Sequence, residues 1–384
     1  RDTGSAASPT LAVAGRASAF VSLAADGDRV AATWIASSDA GADIFAAVSE
    51  DGGRRFGAPE RVNDIPGDAA GNGEQPPRLA LQDRAMTVIW VSKRDGVAGI
   101  RAAQSNDAGR TFAPARTISP EGLHGARGWE SVALDADGVA HAAWLDGRNA
   151  QSAPAGAHVH GAMRQDIVHA MWRGDGEIVE TPVASDVCFC CKTGVVARGR
   201  DVFVVWRHLF PGGVRDIAIA RSGDGGRTFA APVRVSEDNW KIDACPDDGP
   251  SIVVEDGGVL HVVWPTLLQD GGPQRTAIFE AVSRDGGATF SPRARVDSAA
   301  NGASHPRIAS LGQSPAVVWD EFSAAGRRVM WRAGQTPARA LGEGSYPAVA
   351  AARGSFVVAW TEPAAAGSRI RTERLRSEAL PLHE

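Results

Sequence analysis

The four cysteines of this 384-residue chain fall in two short segments. Cys188, Cys190 and Cys191 form a Cys-x-Cys-Cys pattern, and Cys245 lies further along the chain. Thiolates are ligands for soft metals. Cu(I), which accepts two or three thiolates, suits this spacing better than Zn, whose cysteine pairs are usually two to four residues apart. Two other interpretations remain open, namely two disulfide bonds in an oxidising compartment and a redox or nucleophilic thiol.

The orientation of the thiols follows from chain geometry if the segment is extended. Alternate residues then share a face, so Cys188 and Cys190 are predicted to point to one side and Cys191 to the other. With Arg207 and Asp247 nearby, the predicted metal site consists of Cys188, Cys190, Cys191, Cys245 and His208.

An eight-residue phrase recurs four times and indicates how the chain is organised. Its copies are Ser49–Phe56, Ser105–Phe112, Ser222–Phe229 and Ser283–Phe290. An aspartate side chain can accept hydrogen bonds from the amides that follow it, and glycine takes the positive φ of a tight reversal. The third residue of each copy is therefore predicted to be structural: Asp51, Asp107, Asp224 and Asp285.

A second repeat consists of apolar runs that end in tryptophan. These residues are Trp34, Trp90, Trp144, Trp206, Trp264, Trp319 and Trp360. Repeats of roughly 55 residues made of short strands predict an all-β fold, a single β-propeller of four-stranded blades. Seven blades are preferred and six are the alternative. The predicted blades are 17–63, 75–120, 128–185, 186–238, 243–298, 304–340 and 346–375, and an N-terminal strand at 9–15 closes the ring.

In a propeller, the loops that lead into the innermost strands and those that follow the second strands meet around the central channel. The second set is rich in charge, and its members are Lys93, Arg94, Asp146, Arg148, Arg207, His208, Asp320, Glu321 and Glu362. Convergent polar groups in a concave place are typical of a binding site. We therefore expect a small molecule, a glycan or a metal such as Cu(I) to bind at the channel mouth, away from the four aspartate turns.

The repeated phrase resembles the Asp box of the sialidase-like (BNR-repeat) β-propellers. That family implies an exo-sialidase activity as the alternative function, with an arginine triad for the substrate carboxylate, an acid/base aspartate, and a tyrosine nucleophile activated by a glutamate. The only tyrosine, Tyr346, matches the nucleophile, with Glu362 or Glu321 as its partner. Arg207 and Arg307 are the candidate arginines. The family's Phe/Tyr-Arg-Ile-Pro motif is absent, and a cysteine cluster is not part of its pattern.

Composition limits the partners. The net charge is −5 and no basic stripe is present, which argues against nucleic-acid binding. No apolar run reaches the ~18 residues of a membrane helix. From the resemblance we expect a secreted or periplasmic monomer, although the chain as given shows no signal peptide.

Overall fold

The computed structural model describes residues 10–94, 96–120, 124–150, 164–242, 246–268, 271, 274–298, 302–324, 326–365 and 367–376. Within these residues the regular structure is entirely β, with strands β1 to β28. The described part contains no helix that is long and apolar enough to cross a membrane.

The strands follow one another along the chain with short connections. The first group is β1 Thr10–Leu11, β2 Ala17–Asp26, β3 Arg29–Ser38, β4 Gly41–Ser49, β5 Glu60–Arg61, β6 Arg78–Gln82, β7 Ala85–Ser92, β8 Gly99–Ser105 and β9 Arg116–Thr117. The second group is β10 Arg127–Leu134, β11 Ala140–Asp146, β12 Arg164–Trp172, β13 Val179–Cys188, β14 Gly194–Arg198, β15 Asp201–Phe210, β16 Val214–Ser222 and β17 Val233–Arg234. The third group is β18 Ser251–Val254, β19 Leu260–Leu267, β20 Thr276–Ser283, β21 Ala294–Arg295, β22 Ala303–Leu311, β23 Ser314–Ser323, β24 Gly326–Ala333, β25 Arg339–Glu343, β26 Ser345–Ala352, β27 Ser355–Ala364 and β28 Gly367–Arg376.

The strands pair with their chain neighbours in antiparallel four-stranded sheets. Four sheets are β2–β5, β6–β9, β18–β21 and β22–β25. Strands β10–β13 and β14–β17 form one larger sheet, and a single pair between Val187 and His208 joins its two halves. The last sheet has the order β1-β28-β27-β26, so β1 is its outer strand, with Leu11 opposite Ile370.

The first strands of these groups lie side by side. Within the described residues β2, β6, β10, β14, β18, β22 and β26 contact one another in that order, and β26 contacts β2 again. The second strand of each group lies between neighbouring sheets and is buried on both faces. This explains why its sequence is a continuous apolar run rather than an alternating one. The seven tryptophans of these runs are at most 1% exposed.

The repeated phrases form turns at one end of the sheets. In the Asp224 turn, the Ser222 hydroxyl donates to Asp224 Oδ1 (2.7 Å) and accepts from Gly226 N–H (2.8 Å). Thr228 N–H donates to Asp224 Oδ1 (2.9 Å). These three bonds recur in the other copies, at Asp51, Asp107 and Asp285. We call this end of the sheets the turn end.

The cysteines lie at the other end. Strand β15 has Val202 opposite Ser222 at its first residues and His208 opposite Val187 near its last, next to Cys188. The connection into β14 is therefore separated from the Asp224 turn by the length of the strand. We call this the mouth end.

Candidate functional site

Three thiols converge on the connection between β13 and β14. Cys188 ends β13, and Phe189 and Cys190 form a turn before Cys191. The Sγ atom of Cys188 lies 3.9 Å from that of Cys190 and 3.6 Å from that of Cys191. All three side chains are 1–2% exposed, and their sulfur atoms lie within 4.8 Å of one another. This is the only group of three or more potential metal ligands that the described residues bring so close.

The structure bears on two sequence-based expectations about these cysteines. Cys191 does not point away from Cys188, because the chain turns at Phe189 and Cys190 instead of remaining extended. The hypothesis of two disulfides finds no support, because no disulfide joins the three described cysteines. Four cysteines in two disulfides require at least one bond within this group of three, but all three are free thiols. Cys245 lies outside the described residues.

Cationic side chains lie next to the sulfur cluster. Arg215 Nη1 donates to Cys188 Sγ at 3.5 Å. Hydrogen bonds from Cys190 and Cys191, and then the charge of Arg215, lower the pKa of Cys188, whereas burial raises the pKa of Cys191. Asp247, on the solvent side, accepts a hydrogen bond from the Cys190 thiol. The lowered pKa favours the thiolate form of Cys188, whereas Cys191, whose pKa is raised, would have to lose its proton to bind a metal.

His208 and Arg207 lie near the cluster but have other contacts. His208 Nδ1 accepts a hydrogen bond from Trp206 Nε1 (3.3 Å), and its ring packs on Phe210. The described metal-ligand group does not include it. Arg207 donates to the carbonyls of Arg215 and Pro265 and stacks on Trp240, so its guanidinium is a structural support.

A buried network of charges lies beside the cluster and begins at the residue after Cys191. Lys192 is 1% exposed, and its Nζ lies 2.8 Å from Glu74 Oε2 and 2.6 Å from Asp248 Oδ1. Glu74 Oε1 in turn lies 2.8 Å from His305 Nε2. Burial disfavours the charge on His305, but the charges and hydrogen bonds of Asp320 and Glu74 outweigh it and raise the pKa of His305 to about 9. His305 is thus a cation at neutral pH.

Tyr346 lies against the same network. Its backbone N–H donates to Asp320 Oδ2 (2.7 Å), and its ring lies 4.3 Å from that of His305 between centroids. Burial, followed by the charges of Glu74 and Asp320, raises the pKa of the Tyr346 hydroxyl. The predicted partner Glu362 instead contacts Arg369 (2.7 Å).

The other predicted residues of the channel mouth form local pairs. Asp146 binds Arg148 (2.6 Å), and Glu321 binds Arg328 (2.5 Å). Lys93 and Arg94 are exposed. Arg307 lies further inside, in the wall of the central channel. The structure therefore does not bring Arg207 and Arg307 together as two members of a carboxylate-binding triad.

Sequence reasoning missed Glu74, Lys192 and Asp248. Glu74 is the last residue of a glycine-rich stretch whose composition predicts a linker, and its partner His305 is 231 positions away. Lys192 had one usable signal, its position directly after Cys191 on the connection into an innermost strand.

The structure resembles several solved proteins at low sequence identity. An ulvan lyase from a new polysaccharide lyase family has a TM-score of 0.56 at 8% identity, covering 98% of this chain and 96% of that chain. The phage phi92 endosialidase has a TM-score of 0.51 at 11% identity, covering 98% and 70%. The Penicillium chrysogenum α-L-arabinanase has a TM-score of 0.50 at 11% identity, covering 78% and 92%.

Together with the four-stranded antiparallel sheets, these resemblances identify a β-propeller type of fold. At such low identity they show the fold and not the reaction. No protein-family model matches the sequence, and no curated protein matches it.

Proposed function

We propose that this protein is a Cu(I)-binding, seven-bladed Asp-box propeller that acts in the periplasm or outside the cell. The observation that carries the proposal is the group of three buried, free thiols at the mouth end, whose sulfur atoms lie within 4.8 Å of one another. The seven-blade count is supported by the ring order of the innermost strands and by the seven buried tryptophans.

The donor set favours Cu(I) over other metals. Three sulfur ligands suit trigonal Cu(I), whereas a structural zinc site usually needs a fourth ligand. Three thiolates and one Cu(I) carry a net charge of −2. Arg215, at 3.5 Å from Cys188 Sγ, compensates part of this charge, and Arg207 acts on the same thiols. Cys245 is the candidate for a fourth ligand.

An anaerobic competition titration tests this proposal. The reduced protein should remove one Cu(I) per chain from a chromophoric chelator. Cys188→Ser, Cys190→Ser and Cys191→Ser should each weaken binding by about a hundredfold or more, since loss of an outer partner alone costs tenfold to a hundredfold. Cys245→Ser is the matched comparison, and it separates three-coordinate from four-coordinate binding. Unchanged affinity in Cys191→Ser, or tighter binding of Zn(II) than of Cu(I), would contradict the proposal.

A glycoside hydrolase of the exo-sialidase type is the second candidate. The observation in its favour is the position of Tyr346 beside His305 at the mouth end, in a fold similar to that of glycosidases and lyases. In this arrangement the carboxylates acting on Tyr346 are Glu74 and Asp320 rather than Glu362. Release of a fluorogenic group from a sialoside by the wild type, abolished in Tyr346→Phe, would support this candidate. A wild type without such activity would count against it.

A further inference from the structure

The centre of the ring of innermost strands contains a polar cavity of about 200 Å³. Two arginines from different strands line it, Arg78 at the start of β6 and Arg307 on β22. The hydroxyl-bearing residues that line the same cavity are Ser22, Ser131, Thr193 and Ser251. The cavity is separate from the sulfur cluster and lies below the charge network of the mouth end.

Neither arginine is neutralised by a direct ion pair. Within the described residues, the structure gives the Arg307 guanidinium no hydrogen bond or ion pair. Only the more distant charges of Asp248 and Glu74 favour its charged form. Arg78 donates from Nε to the backbone carbonyl of Glu130 (3.2 Å), and its buried Nη2 has no partner. Burial and the nearby Arg307 lower the pKa of Arg78, so the two cations repel each other.

The surrounding carboxylates do not cancel this charge. The network above the cavity is balanced, with three carboxylates and three cations: Glu74, Asp248, Asp320, Lys192, His305 and Arg327. Glu130 lies nearest to Arg78, but both of its carboxylate oxygens are buried without a partner, and burial raises its pKa to about 7. At or below neutral pH the cavity therefore has an excess of positive charge. Two half-buried arginines without an ion pair leave this excess charge available to an anion.

We propose that the cavity binds one small tetrahedral oxyanion, sulfate or phosphate, between Arg78 and Arg307. The guanidinium fork suits such oxygens. Further donors surround the position. The Ser251 hydroxyl oxygen accepts from Ile308 N–H (3.3 Å) and keeps its own proton to donate, and the buried Ser22 hydroxyl has no partner. A tetrahedral ion presents four oxygens in different directions to the walls of the cavity, whereas a carboxylate presents two oxygens in one plane.

The size of the cavity fits this ligand. A cavity of about 200 Å³ has room for an ion of five heavy atoms together with water molecules. The passage to the mouth is narrow, with Tyr346, His305, Lys192 and Arg307 around a cavity of about 10 Å³. A Cβ atom at Gly73 would overlap the Tyr346 ring, so ring and loop are in direct contact there.

Calorimetric titration with sulfate at constant ionic strength and pH 6 tests the proposal. The wild type, freed of sulfate and phosphate, should bind one sulfate per chain, and acetate should bind more weakly. Arg307→Met and Arg78→Met should each weaken sulfate binding by about tenfold or more, the value of one charge-assisted hydrogen bond. Arg353→Met is the matched control, because Arg353 is 76% exposed and does not line the cavity, and it should keep wild-type affinity. A parallel phosphate titration shows which of the two ions is preferred.

A crystal soaked in selenate, a tetrahedral ion with an anomalous signal, should show one selenium between Arg78 and Arg307. Equal sulfate affinity in the wild type and both arginine variants would overturn the proposal, because it would indicate a general salt effect.

If the arginine variants do not fold, Glu130→Gln decides. The charge of Arg78 lowers the pKa of Glu130. The pKa of Arg78 is in turn lowered by the charge of Arg307 and raised by the charges of Glu74 and Asp248. At pH 8 the wild-type carboxyl is largely ionised, whereas the amide of the variant is neutral. Glu130→Gln should therefore increase sulfate affinity several-fold over the wild type at this pH. Unchanged or weaker affinity would refute the anion site.

Discussion

The two ends of the sheets satisfy their polar groups in opposite ways. At the turn end, each repeated turn provides its own hydrogen bonds within a few residues, as between Ser222, Asp224 and Gly226. At the mouth end, the partners come from distant parts of the chain. Glu74 contacts both Lys192 and His305, and His305 is 231 positions away from it. The repeated turns therefore make their main hydrogen bonds locally and add only single outside contacts, such as Thr181 Oγ1 donating to the Gly226 carbonyl (2.8 Å), whereas the mouth end is one coupled network. Changes at the two ends should differ in size and in pH dependence.

Removal of Lys192 should have the largest effect. Lys192→Met leaves the Glu74 and Asp248 carboxylates buried without their shared cation. Loss of one partner from a buried ion pair costs about 3–5 kcal/mol, because the remaining charge is uncompensated. Urea denaturation should show this loss in the free energy of unfolding. Lys93→Met is the control because Lys93 is exposed at the same end, and a similar loss in both variants would contradict the coupled network.

His305 should make the stability of the mouth end dependent on alkaline pH. Its pKa is about 9 in the folded protein and about 6.5 when unfolded. A raised pKa contributes stability that is fully present below pH 6.5 and is lost as the pH rises through 9. The total is about 3 kcal/mol. The difference in unfolding free energy between the wild type and His305→Gln should therefore shrink between pH 6 and pH 9.5. The exposed His124, replaced by Gln, should show no such trend, and a constant difference for His305→Gln would contradict the network.

His169, at the turn end, should make the stability depend on pH in the opposite direction. It packs beside Gly226 and lies 3.1 Å from His141 between ring nitrogens. Burial and the neighbouring His141 lower its pKa to about 3. The folded state holds it neutral while the unfolded state binds a proton below pH 6.5, so stability falls as the pH is lowered. The loss at pH 5 is about 2 kcal/mol. His169→Gln should reduce the acid dependence of urea unfolding, and an unchanged slope would contradict this assignment.

The same contrast explains what could be predicted from sequence. The turns and the buried tryptophan strands depend on neighbouring residues, so Asp224 and Trp206 could be interpreted from their local phrases. Lys192 and Glu74 could not be paired, because their contact depends on how the separate sheets are placed around the ring. The prediction that Cys191 points away from Cys188 failed for a local reason. Phe189 and Cys190 carry no strong turn signal, so an extended segment is what their residue types predict.

Loss of a single turn hydroxyl should have the smallest effect and is the sharpest test of local independence. Ser222→Ala removes the acceptor of Gly226 N–H and the donor to Asp224 Oδ1. The Ser222 side chain is 1% exposed, so water cannot replace these bonds, and an unsatisfied buried amide costs about 1–2 kcal/mol. Because Ser283 makes the same bonds in its own turn, Ser283→Ala should cost a similar amount. The double variant should lose the sum of the two values, since the turns share no partner. Urea unfolding of the three variants measures this additivity, and an interaction energy well above about 0.5 kcal/mol would show that the turn end is coupled after all.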